Sequence, residues 1–378
     1  MTESLPANIA PTTATATLPR RPWRSILRQP GSSIGADALL GLLVRASAAV
    51  IIIMLVGLLW VLAAAALPSI RTFGWSFITG TDWRPNELQV PRKGPDGKIV
   101  IEDGEVAMDT LPPRFGALPV IYGTTVSSLL ALAFAVPISL GAGLFLVRVA
   151  PKLRIAGAIS FLVEFLAAIP SIAYGLWGLF VLVPFLQGHV ESSLQGMLLN
   201  VPGLHWLFFN TIQVGSNTIE RAIPMSGRDM LSGSLILAVM ILPIITAVSR
   251  DVLAAVPRVQ IEGTLALGAT WWQSSREMLR FSRSGLFSAV MLGLARAAGE
   301  TMAVTMVIGN SNQIVPSLFA PAQTMSSLLA NEFAEASSPI HRSALIQVAL
   351  ILLVMSLAFN VTARYLVVGT EARTAAAH

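Results

Sequence analysis

Three ionisable residues sit inside long apolar runs: Glu164, Arg296 and Glu300. The last two belong to "GLARAAGETMAV" at 293–304, within an apolar run from Gly285 to Ile308. A charge at the centre of a bilayer costs roughly 2.5–3.5 kcal/mol on insertion scales, so an unpaired pair in one span strains insertion. The spacing of four places Arg296 and Glu300 on one helical face and predicts an ion pair that neutralises both. At a rise of ~1.5 Å per residue, Arg296 lies about 16 Å from Gly285 and Glu164 about 14 Å from Ile155. Both depths are near mid-membrane, so Glu164 also reaches Arg296 if the two spans touch. The plain reading is a structural salt bridge that locks helices. The functional one is a path for an anion, because a guanidinium grips oxyanions through two parallel hydrogen bonds. A lone arginine would trap its anion. A glutamate competing for the same guanidinium weakens the site enough for release, as a conducting path requires. Glu300 is therefore expected to be an exchangeable partner of Arg296.

Other candidates for chemistry are few. His189, His205, His341 and His378 are scattered without ligand spacing, and the chain has no cysteine, so no metal and no cofactor is expected. Gly175, Gly178 and Gly293 read as sites of close helix packing. No Gly-x-x-x-x-Gly-Lys-Ser/Thr loop occurs, so any ATP must be handled by another chain.

The elements that must hold these residues are membrane helices. Of 378 residues, 54% are hydrophobic and only 12% charged, against the roughly 25% charged of soluble domains. Runs of about 20 apolar residues, the length that crosses ~30 Å of hydrocarbon, predict six spans at 44–67, 118–147, 155–186, 231–248, 285–308 and 343–362. Pro137, Pro170 and Pro184 predict kinks in the two over-long ones. The fold class is thus an all-α polytopic membrane protein in contact with lipid. A sequence pI near 10.2 does not indicate nucleic acid, because the basic residues are scattered without a basic, aromatic-interleaved stripe.

The predicted organisation is a disordered basic tail (1–35, with Arg20, Arg21, Arg24 and Arg28), a first transmembrane helix (36–67), an outer loop (68–117), a permease core (118–368) and a tail (369–378). The apolar run Ala46–Leu67 is too long and too far from Arg20-Arg21 for a cleaved export signal. Loop 148–154 carries three basic residues and no acid, and loop 249–284 five basic against three acidic. Loop 309–342 has one basic and two acidic residues, and loop 187–230 two against three. The positive-inside rule then puts both termini in the cytoplasm. In the outer loop, Pro95-Asp96-Gly97 followed by "KIVIE" predicts a β-hairpin. In "TMSSLLANEFAEA", Met325, Leu328, Leu329 and Phe333 share a face, with Glu332 and Glu335 free to meet water; this predicts an amphipathic helix lying at the outer interface.

The inner loop 249–284 predicts two short helices broken near Pro257 and Gly268, where glycine turns the chain at positive φ. Its "IEGTLALGA" resembles the signature of ABC importer permeases: Glu262, the small residues Gly263 and Thr264 where two alanines are usual, and Gly268 six positions after the glutamate. Arg280 stands where a proline would close that signature. "VEFLAAIPSIAYGLWGLF" (163–180), "GLARAAGETMAVTMVIGN" (293–310) and "LANEFAEA" (329–336) are similar to segments of the PstC-type permeases of bacterial phosphate importers. The likeness runs from about residue 35 to the C-terminus, apart from the hairpin.

The resemblance implies a type I ABC importer permease fold in the bacterial inner membrane and a subunit that is not itself an enzyme. It implies that the coupling loop docks on a separate ATPase through Glu262, Gly263, Thr264 and Gly268. It also implies a second homologous permease, two ATP-binding subunits and a periplasmic phosphate-binding protein. Arg296 and Glu300 match the residues linked to transport in that family, and Glu164 matches as well. Other readings stay open on the residues alone: a permease for sulfate or molybdate, a proton-coupled secondary transporter using Glu164 or Glu300, or a phosphate-sensing scaffold.

Overall fold

The computed structural model describes residues 34–92, 101–102, 105–153, 155–198, 201, 205–214 and 217–375. The expected tail at 1–33 and the Pro95-Asp96-Gly97 turn lie outside these. The first helix, α1 (Ile34–Phe73), is longer than expected. Its stretch up to Leu58 is a unit of its own, with large apolar side chains from Leu39 to Val56 exposed along it, as on a helix solvated by hydrocarbon.

From Leu59 onward the helix belongs to the main body. There the Ser343 hydroxyl bridges Ser69 N–H (3.1 Å) and Ala65 C=O (2.9 Å), the two ends of one helical rung, beside Pro68. Ser69 Oγ donates to Gln347 Oε1 at 2.6 Å. Buried polar groups are thus satisfied between helices rather than left bare in hydrocarbon.

The core helices are α2 (Leu118–Arg148), α3 (Ala156–Ala168), α4 (Ser171–Leu194), α5 (Met230–Ala254), α6 (Arg258–Ala266), α7 (Trp271–Phe281), α8 (Arg283–Gly299), α9 (Met302–Val307), α10 (Met325–Glu332) and α11 (Pro339–Ala375). Among the described residues, five helices are long and apolar enough to cross a membrane: α1, α2, α4, α5 and α11. The expected span 285–308 is instead two helices, α8 and α9, broken at Glu300 and Thr301. The expected span 155–186 also splits, at Ile169-Pro170, and its second part continues past residue 186. α11 runs to Ala375, into the stretch expected as a tail.

α4 is wound unevenly. Gly178–Leu182 and Leu186–Glu191 are π-helical, and Val183 N–H reaches back five residues to Gly178 C=O. Pro184 sits between the two wide turns. A proline lacks an amide hydrogen and collides with the carbonyl four residues back, and widened turns relieve both problems.

α2 and α5 pack side by side with α8 against both. Small residues permit the close approach: Ser127, Ser128, Ala131, Ala135 and Ser139 on α2 are buried, and Ser139 Oγ donates to Leu242 C=O at 3.1 Å beside Pro243. The expected packing roles of Gly175, Gly178 and Gly293 agree with their surroundings. A Cβ on them would meet Met306 Sδ and Ile236 Cγ1 at 2.8 Å and Ile245 Cδ1 at 2.6 Å, respectively.

Within loop 68–117 the described strands pair in three antiparallel steps. β1 (Trp83–Arg84) pairs β6 (Arg114–Phe115), β2 (Leu88–Pro91) pairs β5 (Met108–Leu111), and β3 (Ile101–Glu102) pairs β4 (Glu105–Val106). A second hairpin, β7 (Phe209–Val214) with β8 (Asn217–Ala222), joins α4 to α5 and was not foreseen.

The segment 309–324 returns between α9 and α10 and leans on α2. Met325 N–H donates to Thr124 Oγ1 at 2.8 Å, and a Cβ on Gly123 would run into the Gln323 carbonyl. Gly123→Ala is expected to destabilise the detergent-solubilised protein by about 1–3 kcal/mol, the usual cost of overpacking. A thermal melt checks this; an unchanged melting temperature would mean the segment moves aside freely.

Candidate functional site

Residues 297–305 set the geometry of the intramembrane charges. α8 stops at Gly299, a poor helix former, and Glu300 adopts an extended backbone (φ −71°, ψ 132°). Ser326 Oγ on α10 donates to the Glu300 carbonyl at 2.6 Å. Glu300 Oε1 accepts from Ala303 N–H at 3.4 Å, at the start of α9. Thr301 Oγ1 donates to the Gly299 carbonyl at 3.4 Å. Groups freed by the break thus find partners inside the protein.

The break cancels the expected ion pair. Spacing of four aligns side chains only while the helix continues, and Glu300 lies beyond its end. Among the described residues Arg296 has no ion-pair or hydrogen-bond partner; it is exposed on α8, whereas Glu300 is buried. The two charges differ in environment: a carboxylate tied to the start of a helix, where a negative charge is favoured, and a free guanidinium.

Glu164 does not reach Arg296 either. Its Oε1 lies 3.2 Å from Arg250 Nη1, and Arg250 Nη2 lies 3.0 Å from Asp251 Oδ1. On α8, Gly293 packs on Ile245 and Gly285 on Val252. Arg250 is thus level with the early part of α8, about 12 Å along the axis from Arg296. The residue that Glu164 actually meets was not singled out from sequence. Arg250 lay in what read as a loop, because α5 extends beyond the apolar run that marked it.

The loop 249–284 forms the two expected helices. Pro257 is the residue before α6, and Gly268 turns the chain at φ +84°. Thr270 and Gln273 form a reciprocal cap at the start of α7. No residue of α6 is buried, and Glu262, Gly263 and Gly268 are exposed. Thr264 is half-buried, 3.1 Å from Ser274 Oγ, so the hydroxyl that replaces an alanine ties α6 to α7. Arg280 is exposed in the last turn of α7, 3.5 Å from Glu277. The helix ends at Phe281 without a proline. Arg148, at the end of α2, lies over Trp271 at 5.7 Å and donates to Ser274 Oγ at 3.4 Å, so a core helix touches the loop directly. A cavity of about 960 Å³ opens between α6, α7 and the start of α8, lined by Val259, Gly263, Thr264, Leu267, Ser274 and Arg283 among others.

At the opposite end, α10 departs from the expected surface helix. Met325, Ser326, Ser327 and Leu328 are buried, and the Thr324 cap fixes its start. Glu332 does not point to water. Its Oε2 accepts from Trp83 Nε1 at 2.8 Å and lies 3.0 Å from His341 Nε2. Trp83 and His341 pack on Phe115, so the base of the hairpin is fastened to α10 and α11.

Glu191 and Asp229 form a buried acid pair where α4 meets α5. Gly227 N–H donates to Glu191 Oε2 at 3.2 Å, and Asp229 caps α5 by accepting from Ser232 N–H at 2.8 Å. The remaining oxygens, Glu191 Oε1 and Asp229 Oδ2, are buried without a hydrogen-bond partner among the described residues. Burial pushes the Asp229 carboxyl above its ordinary range.

Long apolar helices that carry an exposed, unpaired arginine, with the wholly unburied helix α6 in the loop between two of them, fit the membrane subunit of a transporter. The family model described as "Binding-protein-dependent transport system inner membrane component" matches residues 119–370, and the chain belongs to that family. It is therefore an inner-membrane component that works with an ATPase and a substrate-binding component, ATP being hydrolysed in a separate subunit. Among curated relatives, the "Phosphate transport system permease protein PstC" of Mesorhizobium japonicum is 39% identical over 341 residues, covering 90% of this chain and 92% of that protein. The protein of the same name from Haemophilus influenzae is 38% identical over 321 residues, covering 85% and 89%. Among solved structures, an inward-facing MetNI methionine ABC transporter chain is similar with a TM-score of 0.45 and 16% identity, covering 66% of this chain and 95% of that one.

A raised carboxyl pKa means that the folded state favours the proton. The stability it contributes is present in acid and lost as pH rises through the raised value. Melting temperature is therefore expected to fall as pH rises from about 4, the ordinary aspartate value. Asp229→Asn keeps a capping oxygen without the charge and should flatten that slope. An unchanged slope would remove Asp229 as its source.

Proposed function

We propose that this chain is the permease that carries inorganic phosphate across the inner membrane in an ATP-driven importer, with Arg296 as the anion-binding residue of the path. The observation that carries the reading is the free, exposed guanidinium of Arg296 on a core helix, in a chain whose curated relatives are named for phosphate transport. A guanidinium without a carboxylate partner keeps its donors for a passing oxyanion.

Glu300 acts differently from an exchangeable partner. It holds the break between α8 and α9 in place, and its charge beside the path weakens the hold of Arg296 on the anion enough for release. The Arg250–Glu164 pair stands nearer the coupling loop, where it lines the inner part of the path. Six passes with both termini in the cytoplasm suit the loop charges, with α8 and α9 together as the fifth. The loop 249–284 then faces the cytoplasm and docks one of two ATP-binding subunits through α6, around Glu262, Gly263, Thr264 and Gly268. A second homologous permease completes the path, and a periplasmic phosphate-binding protein delivers the anion to the hairpin end.

The test is ATP-dependent uptake of labelled phosphate by the reconstituted complex, in competition with sulfate and arsenate. Arsenate is expected to compete and sulfate not; uptake of sulfate in preference to phosphate would overturn the substrate. Arg296→Ala should assemble normally yet lose most uptake, and wild-type uptake would sink its role. Gly268→Ala forces a Cβ into positive φ at a cost of about 1–2 kcal/mol. It should reduce co-purification of the ATPase, and full recovery of the complex would argue against docking here.

A further inference from the structure

A polar cavity of about 610 Å³ lies at the hairpin end, between the base of the hairpin and the turn that follows α9. Thr81, Asp82, Trp83 and Arg84 line one side, and Ser311, Asn312, Gln313 and Ile314 the other. There is room for a small anion with several of its waters, at roughly 30 Å³ per molecule. Gly309 and Asn310 both have positive φ (92° and 52°) and turn the chain into this wall. The Asn310 side chain fixes the turn by donating to Thr305 C=O at 2.8 Å. The wall is thus the direct continuation of α9, which begins two residues after Glu300.

Two buried polar atoms in the lining lack partners: Arg84 Nε and Asn312 Oδ1. The Arg84 side chain makes no ion pair or hydrogen bond among the described residues, although Asp82 and Glu87 are near in sequence. Buried polar atoms are normally satisfied, so each orphan calls for a counterpart. The first is a donor that wants an anionic oxygen. The second is an acceptor that wants a hydroxyl, and Asp82 adds a further acceptor at the rim.

We propose that this cavity is an entry site for a protonated tetrahedral oxyanion, held between Arg84 and the acceptors Asp82 and Asn312 before it passes to Arg296. Naming inorganic phosphate as that oxyanion rests on the function proposed above. The mixed lining selects by protonation. Near neutral pH phosphate keeps at least one hydroxyl to give to Asp82 or Asn312. Sulfate has none, so Asp82 repels it without compensation. Ser311, Gln313 and Thr81 add neutral donors for the remaining oxygens.

Trp83 in the cavity wall provides a readout. The purified full transporter, without its binding protein, is titrated with inorganic phosphate or sulfate while tryptophan fluorescence is followed; Trp83→Phe identifies the contribution of that residue. A saturable response to phosphate and little to sulfate is expected. Arg84→Gln should weaken the phosphate response roughly tenfold, the loss of one charge-assisted hydrogen bond. Asp82→Asn should let sulfate compete, and Arg296→Ala should leave the response in place. An Arg84→Gln titration identical to wild type overturns the site. So does an Arg84→Gln variant that loses only binding-protein docking, since the arginine then serves a partner's carboxylate. If Arg84→Gln does not assemble, Gln313→Ala, whose side chain is exposed, carries the same comparison. A response to phosphate from a complex that transports none would leave the entry site standing and overturn the permease reading. Phosphate transport without the response would do the reverse.

Discussion

A helix that stops inside hydrocarbon frees carbonyls and amides that water cannot reach, and each must find a partner in the protein. The break at Glu300 meets this condition through Ser326, and the rest of the site depends on it. To bring Ser326 to the Glu300 carbonyl, α10 must leave the membrane surface and enter the core. To hold α10 there, Met325 is bonded to Thr124 and Glu332 to Trp83 and His341. The hairpin base is thereby fixed as well. The arrangement around the arginine is thus one connected assembly that reaches the far end of the molecule.

Close packing meets the same condition elsewhere. Stripes of alanine, serine and glycine let α2, α5 and α8 approach until side-chain hydroxyls reach carbonyls on neighbouring helices. In a membrane such packing takes over the role that burial from water has in soluble proteins. At the other end of α2, Arg148 rests on Trp271 and Ser274, so a shift of the core helix is transmitted to the α6–α7 pair without an intermediate. Thr264 makes those two helices move together.

Much of this was legible in the sequence. Apolar runs located the long helices, and Pro257 and Gly268 marked the ends of α6. Charges inside apolar runs drew attention to Arg296, Glu300 and Glu164, though not to how they are partnered. What could not be read was the end of α8. An apolar run states that a segment lies in the membrane, not that it is one helix, and the stop at Gly299 is held by a hydroxyl some 26 residues away. A contact of that range leaves no local pattern. The same limit hid the Arg250–Glu164 pair and turned Glu332 from a solvent-facing residue into a half-buried anchor. The second hairpin was missed because its strands lack clean alternation.

The wide turns of α4 have a consequence for what changes this chain tolerates. A π turn is, in effect, an extra residue accommodated without leaving the helix. Each residue rotates the following side chains by about 100°. Gly178–Leu182 and Leu186–Glu191 therefore decide the direction in which Glu191 points. Many single substitutions within 178–191 leave that direction alone. Deletion of one residue there would restore ordinary winding and swing Glu191 away from Asp229 and Gly227. Over evolutionary time this span should keep its length, with Gly178 and Glu191 held and its exposed positions free to vary.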